Sequence, residues 1–189
     1  MRLLSALVFV VCSALSTQAL SAEGVGNPIV VLKTSKGDIT IELLPDKAPI
    51  TVENFLGYVK SGFYNGTIFH RVIRRFAVQG GGFTPDLSEK PNGESIINES
   101  KSSGLRNDRW TVAMARTDDP NSARSQFFIN MRMNLDLDSR MGRDGYAVFG
   151  KVIDGQNVVR DIAISETHST GGMKDVPVEP ILIISTTLK

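Results

Sequence analysis

The sequence predicts a mainly β domain, a closed antiparallel barrel with two helices over its ends. Three observations predict it: many short apolar segments bounded by Gly, Pro, Asn or Asp, only two stretches of helical period, and no internal repeat or linker. Closing a sheet on itself removes exposed strand edges and leaves two ends for helices to cover. The same pattern of segments is also compatible with a sandwich.

The elements follow in order. Ile29 to Lys33 reads as a strand and Ser35-Lys36-Gly37 as a turn, after which Ile39, Ile41 and Leu43 alternate with Asp38, Thr40 and Glu42, a hairpin with one buried face. From Pro49 the period changes: Val52, Phe55, Leu56 and Val59 recur at helical spacing, with Pro49 near the start and Gly62 beyond the end. Short strands return at Ile68 to Ile73, Ala77 to Gln79, Thr111 to Ala115, Gln126 to Ile129 and Ala147 to Val152. A second helix is expected from Gln156 to Ile164, with Asp154 as its cap and Val158, Val159 and Ile162 facing inward. Val178 to Leu188 supplies a closing strand. The polar stretch from Pro85 to Asp108 is too long for an ordinary connection and reads as a loop that shapes a site.

The chain has 189 residues, 41% of them hydrophobic and 22% charged, the balance of a globular protein with one core. A formal charge of +1 gives no strong field to draw in nucleic acid or an anionic membrane. At the start, Arg2 precedes the apolar run Leu3 to Leu15, which leads through Ser16, Thr17 and Gln18 to Ala19-Leu20-Ser21-Ala22. That is the layout of a secretory signal over residues 1–22, cleaved after Ala22 or alternatively Ala19, and it leaves one domain over residues 23–189. The single cysteine, Cys12, lies in the removable segment, so disulfide and zinc-thiolate chemistry are not expected of the mature chain. With no second apolar stretch long enough to span a bilayer, the expectation is an exported protein without a membrane anchor. It would be periplasmic, or extracellular if the source has no outer membrane. No exposed apolar helix or heptad calls for a partner, so a monomer is expected.

Strand alternation picks out the candidate chemistry. It puts Phe69, Arg71 and Ile73 on one side of their strand and Ile68, His70 and Val72 on the other. Ala77 and Gln79 share a face, as do Gln126 and Phe128, with Phe127 opposite and in the core. An arginine, two glutamines and an aromatic are thereby able to converge. Taken singly, each has a plainer explanation: a strand arginine is most often a solvated surface group, glutamines are mostly exposed, and a phenylalanine is mostly core. His70 reads as a structural histidine and His168 as a loop residue, neither of them a base. A nucleophile elbow and a phosphate-binding loop are absent from the sequence, as is a histidine pair at metal-ligand spacing. Asp118-Asp119 and the Asp136, Asp138 pair do not extend into a calcium loop. No metal and no organic cofactor are expected.

Several segments together carry more than any one of them. Phe69-His70-Arg71-Val72-Ile73, Phe76-Ala77-Val78-Gln79-Gly80-Gly81-Gly82-Phe83-Thr84, Met114-Ala115-Arg116, Ser125-Gln126-Phe127-Phe128-Ile129 and Tyr146-Ala147-Val148-Phe149-Gly150-Lys151-Val152 closely resemble the cyclophilin family, in order and in register from about Ile29 to Leu188. The signal segment and Tyr146 resemble its bacterial periplasmic branch. The resemblance implies an eight-stranded antiparallel barrel closed by two helices, and a peptidyl-prolyl cis/trans isomerase acting on proline-containing unfolded or partly folded proteins. It implies Arg71 as the catalytic arginine, supported by Gln79 and Phe128. The groove would be lined by Phe76, Ala77, Ala115, Gln126, Leu137 and Tyr146, with Arg116 at its rim. A non-catalytic module that holds proline-containing segments is the alternative.

The chain departs from the family in three places. Arg74-Arg75 stands where Pro-Gly is common and Ala77 where methionine is usual, so the groove is expected to be wider and more basic. Asp136 occupies the position of an aromatic on which cyclosporin relies, so weak cyclosporin binding is expected.

Overall fold

The computed structural model describes residues 26–189. The expected signal segment, its cleavage site and Cys12 lie outside the described residues. Ile29–Thr34 (β1) and Gly37–Leu43 (β2) form the predicted hairpin, with Lys33 opposite Asp38. Period-two alternation sets its faces: Val30, Leu32, Ile39, Ile41 and Leu43 are buried, and Lys33 and Asp38 are exposed.

The first helix, Pro49–Lys60 (α1), buries Thr51, Val52, Phe55 and Val59. Proline at its start is tolerated because the missing N–H belongs to the first turn, where no intrahelical partner exists. Ala48, at the capping position, has no side chain able to accept a hydrogen bond. The cap arrives from elsewhere: the buried Glu99 carboxylate accepts from the backbone of Ile50 at 3.1 Å and of Thr51 at 2.7 Å, and from the Thr51 hydroxyl at 2.6 Å. A negative charge there also complements the helix dipole.

The remaining elements are Thr67–Ile68 (β3), Arg71–Ile73 (β4), Ala77–Gly80 (β5), Thr111–Met114 (β6), Phe127–Asn130 (β7), Val148–Asp154 (β8), helix Gln156–Ala163 (α2), Thr167–Thr170 (β9), Met173–Pro177 (β10) and Leu182–Leu188 (β11). One antiparallel sheet runs in the order β3-β11-β1-β2-β8-β6-β7-β5-β4, and β9 and β10 form a separate ribbon. The outermost strands, β3 and β4, are separated only by Phe69 and His70. The chain therefore ties the two ends of the sheet together and forces it to curl. Helix α1 packs on β8 and β11, and α2 on β2, β4 and β5.

Five expectations change. The sheet has nine strands rather than eight, and among the described residues no ladder joins β3 to β4. The strand expected from Ile68 to Ile73 is split because Phe69 and Val72, three apart, both enter the core, which strict alternation forbids. Phe69 thus does not share a face with Arg71. The crossing there requires Gly80, where an added Cβ would sit 2.8 Å from the Phe69 ring and 2.9 Å from the Ile68 carbonyl. The closing strand starts at Leu182 rather than Val178, and His168 lies in β9 rather than a loop. Asp154 does not cap α2; its carboxylate accepts from Gly155, which takes the capping position with φ 83°.

The core is centred on Phe55, whose ring lies 5.0 Å from Phe149, 5.2 Å from Tyr64 and 5.6 Å from Phe127. Val158, Val159 and Ile162 of α2 are buried as the period predicts. Residues 81–110 contain no ladder strand and make isolated bridges at Phe83–Glu89 and Ile96–Ala123, consistent with a long shaping loop.

Candidate active site

Register brings the candidate side chains together. Across β4, β5, β7 and β6, Arg71 is opposite Gln79, Gln79 opposite Phe128, and Phe128 opposite Ala113. Neighbouring strands lie about 4.8 Å apart, so these residues form one row on one face of the sheet. That face is the outer one: Phe127, next along β7, is in the core with no exposure. Ala77, Ala113, Phe128 and Val148 form a small apolar cluster there, with Phe76, Leu105, Ala115, Leu137 and Tyr146 packed against it.

Arg71, Phe76, Ala77, Gln79, Ala115, Arg116, Phe128, Leu137 and Tyr146 line one groove of ≈ 240 Å³. Gln126 lies in an adjoining groove of ≈ 310 Å³, which shares Gln79, Ala115 and Arg116 with the first. The side chains are linked in a chain: the Arg71 guanidinium reaches the Gln79 amide oxygen at 3.5 Å, a long contact, and Gln79 donates to Gln126 at 3.0 Å. Arg116 is already committed. Its guanidinium donates to the carbonyls of Thr117, Asp144 and Gly145 and lies 4.5 Å from the Tyr146 ring centre, so it holds the groove wall. Arg74 and Arg75 line neither groove, and the expected extra basicity falls elsewhere.

Three asparagines that sequence reasoning passed over hold this wall. Asn107 is buried and donates to the Leu137 carbonyl at 3.1 Å and the Tyr146 carbonyl at 3.4 Å. Asn134 donates to the Phe76 carbonyl at 3.0 Å and to Asn130, which in turn donates to Asn107. Every groove aromatic except Phe128 is thereby fixed by a buried amide network, which is rigid because its members satisfy one another. Nothing local separates these asparagines from the turn-forming asparagines elsewhere in the chain.

His70 is buried against Phe83, with ring centres 4.6 Å apart, and its Nδ1 has no hydrogen-bond partner among the described residues. Burial is the main cause that pushes its pKa down to about 4; the Ile68 carbonyl opposes it, the Arg71 charge adds a smaller lowering, and Gln126 opposes least. The unfolded chain takes up a proton near pH 6.5, the folded one only near 4, so protonation favours unfolding between those values. Stability is expected to fall by up to about 3 kcal/mol as pH drops from 6.5 to 4. Urea unfolding at several pH values checks this, with His70→Gln expected to show a shallower dependence.

Among the described residues no group of acidic, His or Cys side chains is arranged to hold a metal ion, and no helix is long and apolar enough to cross a membrane. The groove is built from the guanidiniums of Arg71 and Arg116, the Gln79 amide, aromatic rings and apolar side chains.

Comparison with known proteins agrees with that composition. Residues 29–188 match the model of the cyclophilin type peptidyl-prolyl cis-trans isomerase family. A peptidyl-prolyl cis-trans isomerase of Acinetobacter baylyi is 51% identical over 170 residues, covering 90% of each chain. Peptidyl-prolyl cis-trans isomerase B of Escherichia coli is 48% identical over 164 residues, covering 85% of this chain and 99% of its own. Among solved structures, a cyclophilin type isomerase of Cryptosporidium parvum superposes with a TM-score of 0.74 at 29% identity, covering 86% of this chain and 98% of that one. With nearly the whole described domain spanned by a family match and by relatives at about half identity, this chain belongs to the cyclophilin-type peptidyl-prolyl cis-trans isomerases.

Proposed function

We propose that the chain accelerates rotation about X-Pro bonds in exported polypeptides, with Arg71 as the catalytic residue and the groove over Phe128 as the proline seat. The observation that carries this reading is the cross-strand row Arg71, Gln79 and Phe128 facing a single groove. The barrier to overcome is amide resonance, about 18–20 kcal/mol. In the twisted state the prolyl nitrogen regains a lone pair and accepts a hydrogen bond that neither planar state accepts. A guanidinium beside it therefore binds the transition state in preference to the ground states. Going from about 0.01 to about 1000 turnovers per second requires lowering the barrier by about 7 kcal/mol. One charged hydrogen bond contributes about 1.5–3 kcal/mol, so the groove has to supply the rest.

Phe128, Phe76 and Leu137 grip the ring and exclude water, Gln79 orients Arg71, and Gln126 holds the rotating carbonyl. Ala77, Ala115 and Tyr146 complete the seat, and Arg116 shapes the rim. With β3 and β4 counted as two halves of one strand broken at Phe69 and His70, the curled sheet makes an eight-stranded barrel whose outer face carries the site. Residues 1–22 direct export to the periplasm, and the mature chain works as a monomer on unfolded or partly folded clients.

An isomerisation assay on a short neutral X-Pro peptide tests the catalytic reading. Turnover that depends on Arg71 supports it, and peptide binding without turnover supports a holding module instead. Cyclosporin is expected to bind weakly: the Asp136 side chain is 90% exposed and paired with Arg140 at 3.3 Å, where a ring would have covered the macrocycle. Calorimetric titration that shows a tight complex would overturn this.

A further inference from the structure

Beside the groove lies a surface cavity of ≈ 460 Å³ lined by Arg74, Arg75, Arg109, Arg132 and Arg160, with Met131, Ala163 and Ile164 as its apolar floor. All five arginines are exposed, and no acidic residue lines the cavity. Asp108 and Asp161 are chain neighbours of Arg109 and Arg160, yet among the described residues none of the five arginines is in an ion pair. Arg109 and Arg160 both lie against Trp110, at 4.5 and 5.1 Å from its ring, and Arg132 donates to Asn134 at 3.0 Å. Three guanidiniums are thus held in place before any ligand arrives, which reduces the entropy lost on binding.

The cavity adjoins the proline groove through shared backbone. Arg74 and Arg75 precede Phe76, and the Phe76 carbonyl accepts from Met131 and Asn134. From Arg71 to Arg74 the chain advances by about 10 Å, so a polypeptide with its proline at Arg71 reaches the cavity with roughly three to five further residues.

We infer that this arginine cavity is a second binding site for the client chain itself, one that takes acidic side chains a few residues from the proline and so selects acidic clients. The inference rests on the isomerase reading. Guanidiniums pair with carboxylates through two parallel hydrogen bonds. A large polyanion or an anionic membrane fits less well, because the chain carries a formal charge of only +1 and the surface outside the cavity offsets these five arginines. A tethered acidic segment meets the cavity alone.

The test uses the mature chain and one short neutral X-Pro peptide, extended on either side by three Glu, three Gln or three Lys placed about three residues from the proline. An exposed pair changes binding by a factor of about 1.4 to 5. Three Glu on one side are therefore expected to raise kcat/KM about tenfold over three Gln, and three Lys to lower it. The gain should vanish at about 0.5 M salt. It should also vanish in Arg109→Gln/Arg160→Gln and, independently, in Arg74→Gln/Arg75→Gln, while both variants keep the wild-type rate on the neutral peptide. Equal rates for Glu and Gln extensions on both sides would overturn the inference. So would arginine-dependent binding of pyrophosphate or anionic vesicles without any gain for the Glu peptides. Failure of the wild type to turn over the neutral peptide would instead bring down the isomerase reading.

Discussion

Replacing Arg71 by alanine is expected to lower kcat/KM on a neutral X-Pro peptide by about two to three orders of magnitude. Removing one donor aimed at a transition-state acceptor costs about 2.7–4 kcal/mol where the site is preorganised, as this groove is. The amides of Gln79 and Gln126 line up behind the guanidinium, and the aromatic wall is held by buried asparagines. The loss should fall on kcat, with KM changed little, because the contact forms only in the twisted state. Arg71→Lys should recover only a small part, since a point charge does not reproduce the fork. The rate of the wild type should stay nearly flat with pH around neutrality, as the guanidinium does not titrate there. Arg71 is half-buried at a sheet edge and among the described residues is in no ion pair, so circular dichroism and thermal unfolding should be close to wild type. Wild-type kcat in a folded Arg71→Ala protein would remove the proposed mechanism.

The largest loss of stability from a single polar group is expected at Glu99. Its carboxylate serves three donors at the start of α1, and Thr51 among them has no exposure. Alanine at that position leaves two backbone N–H groups and a hydroxyl unsatisfied next to the helix dipole, where Ala48 offers no substitute. The cost is about 3–4 kcal/mol, within the range for breaking a buried charged contact. For a domain of this size that lowers Tm by about 6–16 °C. Glu99→Gln keeps one acceptor oxygen and should lose about half as much. A thermal shift under 2 °C in Glu99→Ala would show that the helix start is satisfied by water instead.

Both residues bear on what can be read without coordinates. The hairpin, the two helices and the core residues Phe55, Val158 and Ile162 follow from period alone, because which face of an element is apolar is a property of residues a few places apart. Arg71, Gln79 and Phe128 were singled out by alternation and by motif wording, and the cross-strand register places them opposite one another. Where alternation failed, at Phe69, the cause was a chain crossing over Gly80 that no local pattern encodes. Asp154 looked like a cap for α2 on composition, but the backbone turned one residue later at Gly155. Asn107 lies in the long polar loop, Asn130 at the end of β7 and Asn134 just beyond it, and only folding brings the first of them against the other two under the groove wall.

By itself, then, the amino-acid sequence determined the mainly β class, the helix positions, the family and the candidate residues Arg71, Gln79 and Phe128, since each depends on short-range periodicity or on an ordered set of motifs. The tertiary structure alone decided that α1 is capped from 48 residues away, that the groove is braced by Asn107 meeting Asn130 and Asn134 from 23 or more residues away, and that five scattered arginines share one cavity. The physical reason is the same in each case: a hydrogen bond or a shared cavity depends on distance in space, and the chain brings such partners together only by closing long loops.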